Sequence, residues 1–225
     1  MSAVKAIFIK QMNDLPKNFA GMGLFILWPV MALLMGNVMG EPMVQAGIFA
    51  AMLIGSGPMV TIANNVAEDN EYKGLRFLVM AGVRPWQYLL GLAGAVLLAS
   101  AVSLTALILI GGFTGDVLVR IVIVGALGLI TSSILGGAVG IFAKNVQTAA
   151  ALSTPLMMVL AFTPIFAGFN ETIARIAEFL FPFQVLMVAL SPYADFTRAL
   201  IVIAANAAVL LAFFAFAYKK KGLRG

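Results

Sequence analysis

The chain has 225 residues, 62% of them hydrophobic and 10% charged, with a net charge of +5 and a mean hydropathy of +1.05. Soluble domains run nearer about half apolar and a quarter charged, so no soluble fold could hide this much apolar surface and the composition specifies an integral membrane protein. With neither Cys nor His, disulfides, thiolate chemistry, His-based catalysis and the usual zinc or haem ligation are excluded, and surplus Lys and Arg report orientation rather than an anionic ligand such as nucleic acid.

The first residues, "MSAVKAIFIKQMNDLPKN", lack an unbroken apolar core and a small-residue cleavage site, so they do not read as a signal peptide. Val4, Ile7, Phe8, Gln11, Met12 and Leu15 recur at helical spacing, while Lys5, Lys10, Asp14 and Lys17 take other faces. That pattern predicts an amphipathic helix over 1–18 lying along the membrane surface, its lysines at the headgroups. A membrane-crossing helix needs about 20 mainly apolar residues. Six segments satisfy this, at roughly 19–40, 43–66, 86–111, 117–142, 148–168 and 197–218. Their long Leu, Ala, Val and Ile runs favour helices over an alternating barrel pattern. Pro29 is expected to kink the first span and Gly57 with Pro58 the second, while Pro155 and Pro164 bracket the fifth. The pairs Gly36/Gly40 and Gly136/Gly140 suit close helix contact, and Asn206 suits a hydrogen-bonded tether between helices.

Between the second and third spans stands "NNVAEDNEYKGLRFLVMAGVRPW", residues 64–86, with five charges inside nine positions. The pattern predicts a short helix within 67–85. Glu68, Asp69 and Glu71 gather at its N-terminal end, where the helix dipole favours acids, with Lys73 and Arg76 after them. Tyr72, Leu75, Leu78 and Val79 share a face; Gly82 closes the helix, Pro85 forbids its continuation, and Trp86 and Tyr88 sit at the headgroups. Exposed apolar side chains beside paired charges on a rigid element read as a docking surface. Further on, residues 169–196 read as two short apolar helices broken at Pro182, each too short to cross, forming a re-entrant hairpin or lid packed on the bundle.

With both termini on one side, that side carries eleven basic residues (Lys5, Lys10, Lys17, Lys73, Arg76, Arg84, Lys144, Lys219, Lys220, Lys221 and Arg224) against Arg120, Arg175 and Arg198 opposite. The imbalance places both termini in the cytosol. Arg120 and Arg198 are expected to pair locally with Asp116 and Asp195. No span has a charge at its centre, which argues against a self-contained proton antiporter. The hydroxyls of Ser56, Thr105, Thr131, Ser132, Ser133 and Ser153 lack a base partner and are expected to bond neighbouring helices or their own carbonyls. No "GxxxxGK[ST]" occurs, so the chain has no phosphate loop of its own.

The stretch "ExxExxGLRFLVMAGVRPWQYLLG" resembles the coupling-helix region of ABC transporter permeases of the second type, six-span exporters of the type V architecture. Those subunits share an amphipathic elbow helix, a coupling helix after the second span and a broken re-entrant hairpin before the sixth. The order of these parts matches over the whole chain, 1–225, as one all-α permease domain. The resemblance implies that Glu68, Asp69, Glu71, Lys73, Gly74, Leu75, Arg76 and Leu78 seat in a groove of a separate ABC ATPase subunit, with Lys144 and Asn145 of "AKNVQT" as a second contact. It implies no cofactor in this chain, ATP and magnesium residing in the ATPase, and a unit of two permeases (a second copy or a paralogue) with two ATPases in a prokaryotic plasma (inner) membrane. A route lined by apolar residues of the first, second and fifth spans, with 13 Met available, suits amphiphilic drugs, lipids or hydrophobic peptides; a sodium ion fits less well. The competing reading is a membrane immunity or scaffold protein without transport activity. A membrane enzyme is disfavoured, since no nucleophile, metal set or acid–base pair is visible.

Overall fold

A computed structural model describes residues 3–15, 19–72, 74–191 and 193–221, with side chains placed for all of these except 19, 20, 75, 76, 79, 85 and 218–221. Among the described residues the chain forms helices and no strand: α1 (Ala3–Asp14), α2 (Phe19–Met39), α3 (Pro42–Glu71), α4 (Gly74–Met80), α5 (Pro85–Gly111), α6 (Gly115–Phe142), α7 (Val146–Phe166), α8 (Glu171–Ala177), α9 (Phe181–Leu190) and α10 (Phe196–Lys221). Six stretches are long and apolar enough to cross a membrane, namely Gly21–Met39, Pro42–Glu71, Trp86–Gly111, Gly115–Phe142, Val146–Phe166 and Phe196–Ala217. They fall on the six expected spans, except that the second continues beyond residue 66 to Glu71. Lys17, Lys73 and Arg224, and the side chains of Leu75, Arg76, Val79 and Lys219–Lys221, lie outside the described residues.

The central helix is α3, which packs against α2, α5, α6, α7 and α9. It is buried almost without interruption from Ala46 to Ala67, on all faces rather than along one stripe. Lipid gives helices no hydrophobic reason to associate, so close packing and interhelical bonds must hold them. The small side chains of α6 provide that approach. A Cβ on Gly136 would lie 2.5 Å from the Met59 carbonyl oxygen, and one on Gly140 would lie 2.5 Å from the Val66 Cβ. The Gly36/Gly40 pair is divided: a Cβ on Gly36 would lie 3.1 Å from the Pro42 Cα at the start of α3, whereas Gly40 has φ +73° and ends α2 in a turn, so its role is backbone conformation and not helix contact.

Most described hydroxyls of the bundle bond a carbonyl of their own or a neighbouring helix, but Ser132 Oγ, expected to do the same, has no partner in the single chain, nor has Thr61 Oγ1. Trp28 Nε1 donates to Ser56 Oγ at 3.0 Å, and that hydroxyl donates to the Met52 carbonyl at 2.6 Å. Thr105, Thr131 and Ser133 each donate to the carbonyl four residues back. Ser103 instead crosses from α5 to the Phe25 carbonyl of α2 at 2.7 Å.

At the end of the bundle opposite α4, helices α8 and α9 meet at 105°. The break falls at 178–180, before Pro182 rather than at it. Pro182 sits in the first turn of α9, where the N–H it lacks would have had no intrahelical partner. Asn206 of α10 donates to the Phe179 carbonyl at 2.9 Å, tethering the last long helix to this joint. Arg198 does not pair with Asp195. Its guanidinium reaches Glu178 at 2.5 Å, while the Asp195 carboxylate caps α10 by accepting the Arg198 backbone N–H at 3.0 Å.

The α3–α6 contact yields a test. Gly136→Leu should cost about 1–3 kcal/mol through overpacking, whereas Gly23→Ala, with no heavy atom within 4 Å of the new Cβ, should be neutral. Thermal unfolding of the detergent-purified chain separates them, and equal midpoints would refute the packing account.

Candidate functional site at the charged end of the bundle

Because α3 runs to Glu71, its acids stand where the sequence pattern did not put them. Glu68, Asp69 and Glu71 occupy the last turn of the long helix, and the short helix α4 begins only at Gly74. The expectation that they head a helix is therefore corrected: they face the negative pole of α3, where a carboxylate is disfavoured unless something holds it.

Something does. Asp69 Oδ1 accepts from Lys10 Nζ of α1 at 2.7 Å, and Asp69 Oδ2 accepts from the Tyr88 hydroxyl of α5 at 2.7 Å. Asn70 Nδ2 donates to the Gly140 carbonyl at 3.2 Å and the Ala143 carbonyl at 3.1 Å, satisfying groups that the end of α6 leaves over. Glu71 Oε2 accepts the Val146 backbone N–H at 3.3 Å, at the start of α7, where the dipole favours an acid. Asn145 caps the same helix, accepting from the Thr148 N–H at 2.8 Å. Three consecutive residues of α3 thus fasten four other helices.

This geometry changes several single-residue readings. Lys10 is bonded to Asp69 rather than turned to headgroups, and Ile7, Gln11 and Leu15 are buried. Burial pulls the Lys10 ammonium down, but its hydrogen bond to Asp69 and the charges of Asp69, Asp14 and Glu68 outweigh that and hold it above its ordinary value. Tyr88 is 2% exposed, so only Trp86 of the two aromatics faces outward.

Short helix α4 is closed as its sequence suggests. Gly82 has φ +76°, and the Val83 N–H reaches back to the Leu78 carbonyl at 3.0 Å, the closing bond that a left-handed glycine permits. Leu78 packs on the bundle core, so it anchors α4 and does not face outward. The outward apolar side chains are Phe77 and Met80, each 65% exposed, with Tyr72 beside them. Their i, i+3 spacing is legible in the sequence beside the equally spaced Leu75/Leu78 pair. Of the other expected site residues, Glu68 and Lys144 are exposed and Gly74 is half-buried. Lys73 lies outside the described residues, as do the side chains of Leu75 and Arg76.

Two cavities adjoin this end. One of about 310 Å³, mostly apolar, lies between α1 and α4 and includes Ile7, Phe77, Leu78 and Tyr88 in its wall. The other, of about 510 Å³, is lined largely by residues with polar side chains, Asp14, Asn65, Glu68 and Tyr72 among them. Lys10, Gln11, Asp69 and Gly74 border both. The arrangement offers charge, apolar surface and rigid attachment. It is suited to binding and to transmitting force.

In comparisons with known proteins, the family described as "ABC-2 family transporter protein" matches residues 43–219, from the first turn of α3 into α10. Among curated proteins nothing matches the chain.

The Lys10–Asp69–Tyr88 set predicts an ordered series. Asp69→Ala should cost about 1–3 kcal/mol, since it leaves a buried hydroxyl and a half-buried ammonium without their acceptor. Lys10→Met should cost less than about 1 kcal/mol, because the lysine is 59% exposed. As the folded pKa of Lys10 lies above 10.5, the pair's contribution is complete below that value and is lost as pH rises through the folded pKa. The difference in thermal midpoint between wild type and Lys10→Met should therefore stay constant from about pH 6 to 9 and shrink only in stronger alkali. A difference that vanishes near neutrality would sink the assignment.

Proposed function

The chain belongs to the ABC-2 transporter family, and from that premise we propose that it is the permease subunit of an ATP-driven exporter of amphiphilic substrates. One copy forms half of the translocation route, and a separate ABC ATPase subunit supplies ATP and magnesium. The family is a non-catalytic membrane component that normally works with such an ATPase.

The observation that carries the docking part of this reading is the fastening of the last turn of α3. α4 packs directly against the end of α3, with Gly74 against Asp69, so a load applied to α4 reaches Asp69, Asn70 and Glu71 and from there α1, α5, α6 and α7. A coupling element needs such rigidity, because a push from a nucleotide-driven partner would otherwise dissipate in a loop. In this reading α4 is the coupling helix. Phe77 and Met80 supply its outward apolar contact, Glu68 and Tyr72 its rim, and Lys144 a second contact near the start of α7. Asp69 and Glu71 act from behind, holding the element in place. With the basic residues at this end of the bundle, the positive-inside rule sets α4 and both termini in the cytosol.

Three features support an amphiphilic cargo delivered through paired subunits. The long helices carry no ionisable group at mid-length. The described part of α7 shows a broad exposed apolar surface that includes Leu152, Leu156, Met158 and Val159, which suits lipid or a second permease. Buried polar atoms without a protein partner in the single chain include Thr61 Oγ1, Asn65 Nδ2 and Ser132 Oγ, enclosed by the chain itself, which a polar group of the cargo would meet only when the helices around α3 part.

Purification of the tagged chain in mild detergent, with identification of what accompanies it and an assay of ATP hydrolysis, tests this reading. Wild type should bring a stoichiometric ATPase. Phe77→Glu and Met80→Glu should each lose the cost of a contact hot spot, about 2 kcal/mol or roughly 30-fold in partner affinity, with thermal midpoints unchanged. An ATPase recovered equally with these variants would overturn the docking assignment. A chain recovered alone would favour the scaffold reading.

A further inference from the structure

The joint between α8 and α9 is held in two physically different ways. Its backbone is pinned: the Gln184 side-chain amide donates to the Glu178 carbonyl at 2.5 Å, and Asn206 donates to the Phe179 carbonyl at 2.9 Å. The second helix, α9, is seated in the bundle against α3, α6, α7 and α10, with Phe181 and Val185 buried. The first helix is a different matter. α8 packs on α7, is only seven residues long and leaves Ile176 largely exposed. Across the gap to α10 the Glu178 carboxylate meets the Arg198 guanidinium at 2.5 Å, both side chains about half exposed. Beneath that pair lies a cavity of about 270 Å³ between α9 and the head of α10, with Met187 in its wall.

The Gln184 bond is part-buried and costly to break, because the Glu178 carbonyl would lose its partner away from water, whereas the Asn206 bond lies on the exposed side of the joint. An exposed ion pair is weak and screened by salt. The joint therefore has a durable pivot beside a releasable contact, and the releasable contact stands over a cavity.

We propose that Glu178 and Arg198 form a latch: when the pair parts, α8 swings about residues 178–180 while α9 stays seated, and the half-open cavity beside Met187 widens toward the surrounding water. Position and strength both fit such a role. Asn206 ties the same joint to α10, so movement of α10 would load both contacts, and the exposed ion pair near the head of that helix would yield more readily. In the export reading this end of the bundle faces outward, and the latch would set how readily the exit opens.

The chain has no cysteine, so a single Met187→Cys reports cleanly on the cavity. Its rate of labelling by a membrane-impermeant maleimide is measured in permeabilised membranes, where both faces are accessible and the result does not depend on the export reading or on sidedness. Labelling of sealed cells is measured separately and reports the side alone. Adding Arg198→Ala should raise the rate in permeabilised membranes about two- to five-fold, the range that an exposed pair of this kind allows. The exchange Glu178→Arg with Arg198→Glu should return it to the Met187→Cys rate. Added salt should accelerate labelling when the native pair is present and have little effect in the Arg198→Ala background. An unchanged rate in Arg198→Ala, or an exchanged pair that labels as fast as Arg198→Ala, would overturn the latch.

Discussion

A carboxylate at the C-terminal end of a helix confronts the negative pole of that helix, and α3 ends with Asp69 and Glu71 in just that position. Each is stable there because it is turned to a group from elsewhere: an ammonium and a phenol for Asp69, the opening N–H of another helix for Glu71. Asn70 between them answers the leftover carbonyls of α6. An unfavourable local placement thus becomes the means by which one helix end organises four others. The attachment of α1, the start of α7 and the seat of α4 all follow from it.

The same helix explains why the rest of the bundle holds together without charge. α3 is surrounded by α2, α5, α6, α7 and α9, and its neighbours approach closely because small residues stand at the contacts. Close approach increases dispersion contacts and leaves no gap for lipid, which matters where apolar burial gives no net gain over the hydrocarbon solvent. Serine and threonine hydroxyls are consumed mostly by carbonyls of their own helix. The interior is consequently apolar along most of its length, with polar atoms still to be satisfied toward the α4 end.

The two ends of the molecule differ in how they are fastened. At the α4 end, five hydrogen bonds, three of them part-buried, converge on one helix turn, which makes that end stiff. At the opposite end a short helix rests on one neighbour and on a half-exposed ion pair. In the proposed export reading this asymmetry has a use, since rigid attachment at one end and looser closure at the other would let a small displacement decide which face is open.

Much of the architecture was legible because its causes are local. Twenty-residue apolar runs must become helices in lipid, so the six spans needed no knowledge of packing. Gly82 and Pro85 punctuate the chain through their own backbone limits, and they close α4 and start α5 where expected. The Gly136/Gly140 spacing marked close contact at both positions, whereas of the Gly36/Gly40 pair only Gly36 meets a neighbour, Pro42 of α3, because a spacing does not reveal whether a partner lies opposite each position. Only the tertiary structure decided which residues are joined. Lys10 and Asp69 are 59 positions apart, and Glu178 and Arg198 are 20; no local pattern ranks Glu178 above the nearer Asp195 as a partner for Arg198. Local chemistry could say that the acids after the second span needed an explanation. It took the packing of α1, α5, α6 and α7 around one helix end to show what they bond to, because a side-chain contact depends on where distant segments are brought, and no short window of sequence carries that distance.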